Sequence, residues 1–161
     1  MLRLIEWLAA THWSIALHES LYVYPLVESV HVLTLGLFVG LAVMLDLRLL
    51  GLALRRVPVS EVIARLLPWE KAGFTIMVIT GGLLFWAEAV TAYNSVHFWI
   101  KLGLILLAGL NALYFEKVTH RGIAEWDSSP VPPLKARLAG FVSLILWTAI
   151  IITGRTMAYS F

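Results

Sequence analysis

Four apolar stretches, separated by shorter polar connections, govern what this chain can fold into. They run from about Leu26 to Leu45 (led in by Leu21 to Pro25), from Ala72 to Val90, from Phe98 to Phe115 and from Leu138 to Thr153. Each approaches the roughly 20 residues that a helix needs to cross about 30 Å of hydrocarbon. No stretch alternates polar and apolar residues as a membrane barrel strand does. In lipid, backbone N–H and C=O groups have to pair within their own segment, and a helix does that. The composition agrees. Of the 161 residues, 60% are hydrophobic and 14% charged, against about 45–50% apolar and about 25% charged in soluble domains. The chain is therefore expected to be all-α, an integral membrane bundle of four transmembrane helices at about 21–50, 70–93, 97–117 and 136–158. These form one domain over 21–161, with the lipid bilayer as its surroundings.

Orientation follows from where Lys and Arg stand. Arg48, Arg55, Arg56, Arg65 and Lys71 lie in or beside the first connection, and Lys117, Arg121, Lys135 and Arg137 in or beside the third. Basic connections stay in the cytoplasm. Both termini and the short connection at Tyr93-Asn94-Ser95 then lie outside, as in a periplasm-facing protein of a bacterial inner membrane. Residues 1–20 lack the long apolar run and small-residue cleavage site of a signal peptide. Trp7 and Trp13 alternate there with Arg3, Glu6, His12 and His18, which predicts an interfacial amphipathic helix. The run Ser128-Ser129-Pro130-Val131-Pro132-Pro133 predicts a cytoplasmic loop. The chain has no cysteine, which excludes disulfides, thiolate metal sites and thiol nucleophiles, and its net charge is only +2. No nucleic-acid partner is expected.

Ionisable residues inside the apolar stretches carry the functional information, because each costs about 2.5–3.5 kcal/mol at a helix centre. His31 lies 17 residues from Arg48, Glu88 lies 17 from Lys71, Lys101 lies 16 from Lys117 and Arg155 lies 18 from Arg137. At 1.5 Å rise per residue, all four sit roughly 24–27 Å above the inner boundary, with Glu28 and His97 about one turn higher. One polar layer in the outer leaflet is the expectation, with Glu28 and Glu88 facing Lys101 and Arg155. Glu28, His31, Leu35, Phe38, Ala42 and Asp46 share one stripe of the first helix, which should point into the bundle. Gly36 and Gly40 form a GxxxG pair that permits close helix approach. Asn111 is a further interior polar residue.

Several roles fit this layer. The four charges can form an ion-pair network that sets helix register. A neutral imidazole at His31 is a good axial ligand for haem iron, with His97 as a second ligand at similar depth. His31 and His97 are thus the metal-ligand candidates, and Lys101 and Arg155 suit the haem propionates. Copper is the alternative metal, since His12, His18, His31 and His97 all lie on the outer side. Proton or ion transport through Glu28, Glu88 and His31 is a third reading. A cofactor-free subunit of a larger membrane complex, or a homo-oligomer, is a fourth.

His31 followed by small residues and then Asp46-Leu47-Arg48-Leu49-Leu50-Gly51 resembles the first helix of the copper-resistance D family. His97-Phe98-Trp99-Ile100-Lys101-Leu102 resembles the third-helix start of the related HemJ-type protoporphyrinogen oxidases. The resemblance implies b-type haem on His31, with Lys101 as the matching interior lysine. It also implies a haem-dependent redox step or electron transfer with a quinone or porphyrin. HemJ-type proteins carry a Tyr-His pair late in the third helix, where this chain has Asn111-Ala112-Leu113-Tyr114-Phe115. The implication is therefore haem binding rather than the oxidase reaction.

Overall fold

A computed structural model describes residues 2–157. Met1 and Ala158, the outer limits of two expected segments, lie outside the described residues. In chain order the helices are α1 (Leu2–Ala9), α2 (His12–His18), α3 (Val23–Leu49), α4 (Val59–Ala87), α5 (Ala89–Asn94), α6 (Val96–Tyr114) and α7 (Leu134–Met157). A π turn (Phe115–Thr119) and a 3₁₀ turn (His120–Glu125) follow α6. No strand occurs among the described residues. Three helices are long and apolar enough to cross a membrane: Val23–Leu49, Val96–Thr119 and Leu134–Met157. The chain is thus a membrane-type helical bundle, and its burial pattern suits lipid. Large apolar side chains such as Leu33, Leu37, Leu106 and Ile152 are exposed, while Thr34, Asp46, Arg48, Thr80 and Thr119 are buried.

α4 differs from the expected 70–93 segment at both ends. It starts eleven residues earlier, at Val59, because a distant side chain caps it. The Asp127 carboxylate accepts hydrogen bonds from the Ser60 N–H and hydroxyl, both at 2.7 Å, and the Val59 N–H donates to the Asp127 carbonyl at 3.1 Å. Those N–H groups have no partner within the helix, so the cap sets its start. The Arg48 guanidinium ties the same loops together by donating to the carbonyls of Val57 (2.8 Å), Asp127 (3.2 Å) and Ser129 (3.1 Å). At its far end α4 stops at Ala87, since Glu88 takes non-helical φ/ψ of −120° and 31°. The short helix α5 follows.

α3 ends in a Schellman motif. The Leu52 N–H donates to the Leu47 carbonyl and the Gly51 N–H to the Arg48 carbonyl, which requires the positive φ of 71° at Gly51. The motif turns the chain into the inner core, where Leu49, Val59 and Ala136 pack with Leu45, Ile63, Phe115, Ile123 and Trp126.

The long helices pack in the order α4–α3–α7–α6, with α7 against both α3 and α6. α4 and α6 meet where Phe85 stacks on Phe98, ring centroids 5.2 Å apart. Glycines allow the close approaches: a Cβ on Gly140 of α7 would lie 3.0 Å from the Asp46 carbonyl oxygen, and one on Gly73 of α4 would lie 3.4 Å from Phe38 Cβ. At the GxxxG pair, Gly36 and Gly40, an added Cβ would meet nothing within 4 Å. Among the described residues, the expected close contact on that face is not made.

The N-terminal segment is two helices rather than one. The break at Ala10–Thr11 arises because Thr11 caps α2, its side chain accepting from the Ser14 N–H. The pair docks on the end of α4. The buried Ser14 hydroxyl donates to the Trp86 carbonyl at 2.8 Å. The Trp86 indole N–H is shared between the Leu8 carbonyl (3.2 Å) and Thr11 Oγ1 (3.1 Å).

Candidate functional site

The stripe of α3 faces inward as expected over Phe38, Ala42 and Asp46, which are buried, while Leu35 and His31 are half-buried; Thr34, outside the expected stripe, is buried as well. Glu28, one turn further out, is exposed. The antiparallel α3–α4 pairing that brings Phe38 against Gly73 brings His31 against Thr80 and Gly81. His31 Nδ1 lies 2.8 Å from Thr80 Oγ1.

A threonine hydroxyl has one proton, and Thr80 Oγ1 lies 2.8 Å from both the Ile76 carbonyl and His31 Nδ1. In the tautomer in which that proton goes to Ile76, Thr80 accepts from His31 Nδ1 and the ring lone pair is on Nε2. A Cβ on Gly81 would lie 3.3 Å from His31 Cε1, so only glycine leaves the ring its place without displacement. An imidazole anchored through one nitrogen, with the other free as a donor, is the arrangement that orients histidine ligands to metals.

Lys101 of α6 is close enough for its charge to act on His31. Its ammonium lies over Gly154 of α7, where a Cβ would be 3.5 Å from Nζ. No carboxylate pairs with this ammonium among the described residues. His97 is half-buried, four residues before Lys101 and on the same face of α6. Arg155 is exposed in the last turn of α7, next to Gly154.

The structure thus places His31 and Lys101 within electrostatic range of each other and arranges Glu88 differently from the four-charge network expected. Glu88 pairs with His18 of α2, 3.1 Å from Nδ1 to Oε1, because the helix break at Glu88 turns it toward the N-terminal helices. These residues border an open cleft of about 260 Å³ with Ser14, Glu19 and Thr91. Asn111 binds within the fold, its Nδ2 donating to the Ala139 carbonyl at 2.9 Å and so tying α6 to α7. Asp46 is buried near the inner end, far along α3 from His31. Among the described residues, no group of three or more His, Asp or Glu side chains gathers to hold a metal ion.

Sequence reasoning missed Thr80, Gly81 and Gly154, whose roles depend on inter-helix register. A hairpin tied by the short connection after Gly51 would have aligned His31 with Thr80-Gly81, and that was the available signal. No curated protein and no solved structure matches the chain. A family match covers residues 7–160, nearly the whole sequence, and the chain accordingly belongs to DUF6644, a family of unknown function.

Proposed function

We propose that this chain is a b-type haem protein of a bacterial inner membrane, carrying out electron transfer or a haem-dependent redox step near the outer face. The observation that supports this reading is the half-buried His31 ring, anchored through Nδ1 to Thr80 Oγ1 at 2.8 Å, which makes Nε2 the nitrogen available to iron. In this reading α4 is the fourth span, crossing with its apolar part from 72 to 87. Both termini are periplasmic, since Arg48, Arg55, Arg56, Lys117, Arg121, Lys135 and Arg137 gather at the opposite end.

Four residues of this chain would hold the group. Haem iron needs one or two axial donors from the chain, and His31 Nε2 provides one. Thr80 fixes the ring plane and, with the ring proton on Nδ1, accepts its hydrogen bond and makes the imidazole a better donor. Lys101, an interior cation without a carboxylate, is suited to a propionate, and Arg155 at the outer edge to the second. His97, on the Lys101 face, would be the second histidine to hold the group. When bound, haem supplies one-electron chemistry, with a quinone or porphyrin as the partner class. Haem is favoured over copper because it asks less of the chain than the multi-residue donor set that copper requires.

An absorption spectrum of the detergent-purified chain, with metal analysis, tests the reading. The wild type is expected to show a Soret band and His31→Ala to lose it. Thr80→Val should weaken haem retention about 10–100-fold. A colourless wild type, or a Soret band indifferent to His31→Ala, would refute the proposal. An unchanged reduced spectrum in His97→Ala would remove His97 as a ligand.

A further inference from the structure

An open cleft of about 190 Å³ lies between α6 and α7, near the end where α7 begins. One face of each helix lines it. Asn111 and Tyr114 stand three residues apart on α6, and Lys135, Leu138, Ala139 and Val142 follow at helical spacing on α7. Ala139 is small and only 5% exposed, and it forms the floor, where the Asn111 side chain donates to its carbonyl. Tyr114, Leu138 and Val142 leave large apolar surfaces open at the sides. The two helices run antiparallel, since Asn111 meets Ala139 while Lys101 meets Gly154. Tyr114 therefore stands level with the first turn of α7, which holds Lys135. Among the described residues no carboxylate pairs with Lys135. The first turn of α7 has no acidic residue, so the partial positive charge of its free N–H groups adds to that of Lys135.

The chemistry of the cleft thus changes along its length, from a cation and a phenol at one end to aliphatic walls further in. Both helices are long and apolar enough to cross a membrane, which opens the cleft to lipid. A phospholipid presents the same order, a charged headgroup followed by acyl chains, and basic pockets between membrane helices suit anionic headgroups. We propose that the α6–α7 cleft binds an anionic phospholipid. Lys135 and the Tyr114 hydroxyl hold the phosphate, and an acyl chain lies over Ala139 between Leu138 and Val142. A zwitterionic lipid carries its own ammonium, which competes with Lys135 for the phosphate and weakens the hold. Asn111 is ten residues along α6 from Lys101, about 15 Å at helical rise. The site rests on the membrane reading of these helices but is independent of any group on His31.

Native mass spectrometry of the full-length protein tests this, with release from detergent micelles doped with phosphatidylglycerol or phosphatidylcholine. The wild type should retain phosphatidylglycerol in preference to phosphatidylcholine. Lys135→Gln should lower phosphatidylglycerol retention about fivefold, and Tyr114→Phe should lower it by less. Leu138→Trp fills the cleft and should lower retention of both lipids. Lys71→Gln, at an exposed site on α4, should change nothing. Equal retention of the two lipids by the wild type would overturn the proposal, as would a Lys135→Gln variant no weaker than Lys71→Gln. Displacement of the lipid by excess inorganic phosphate would reduce the cleft to a site for a free anion. A dimer broken by Leu138→Trp would show a second copy of the chain seated there instead. A chain that stays monodisperse without detergent would overturn the membrane reading itself.

Discussion

Arg48 is fully enclosed, yet it forms no salt bridge among the described residues; its guanidinium serves three loop carbonyls from two different connections. Five fixed donors on a planar group suit such a task, and a lysine ammonium does not match that geometry. Removing the side chain leaves buried carbonyls without donors. Arg48→Ala should therefore destabilise the folded protein by about 3 kcal/mol or more, with Arg48→Lys recovering only part; thermal denaturation in detergent measures both. Asp127, in the same knot, has its carboxyl held below the usual carboxylate range by the Ser60 N–H and hydroxyl. Its contribution is full above the ordinary Asp value of about 4 and fades as the pH drops through the lowered folded-state value. Asp127→Asn should flatten the acid limb of a melting-temperature profile. An acid limb of unchanged slope would show that the cap does not titrate with folding.

Among the helices, glycine decides where backbones meet. Gly140 stands where an added Cβ would be 3.0 Å from the Asp46 carbonyl oxygen and 3.2 Å from Leu49 Cβ, while Gly36 has nothing within 4 Å. Gly140→Ala should push α7 off α3 and cost about 1–3 kcal/mol. Gly36→Ala should stay within about 1 kcal/mol of wild type, since a helix favours alanine. Comparing the two melting points tests the packing order, and equal losses would contradict it. Helix existence was legible in the sequence, because a run of apolar residues is a local property. The GxxxG pair read as a contact face was not used as one, whereas Gly73, Gly81, Gly140 and Gly154, which carry no such motif, were.

For the molecule as a whole, the placement of basic residues predicts that the Gly51–Pro58 and Thr119–Pro133 connections share one side of the membrane. The chain has no cysteine, so single cysteines report topology cleanly. Ser128→Cys should react with a membrane-impermeant maleimide only after the cells are opened, and His12→Cys and Asn94→Cys in intact spheroplasts. Labelling of His12→Cys and Asn94→Cys from opposite sides would show that α4 does not span.

The sequence alone determined the all-helical class, the membrane-type composition, the inward stripe of α3 and the isolation of His31 as an interior imidazole. All of these depend on residue type and spacing within one segment. Tertiary structure alone decided which residues meet: His31 with Thr80 and Gly81, Glu88 with His18, Asp46 with Gly140, and Asp127 with the start of α4. The physical reason is register. A helix sets the spacing of its own side chains, but its offset against a neighbour comes from glycine contacts and loop hydrogen bonds between residues far apart in the chain.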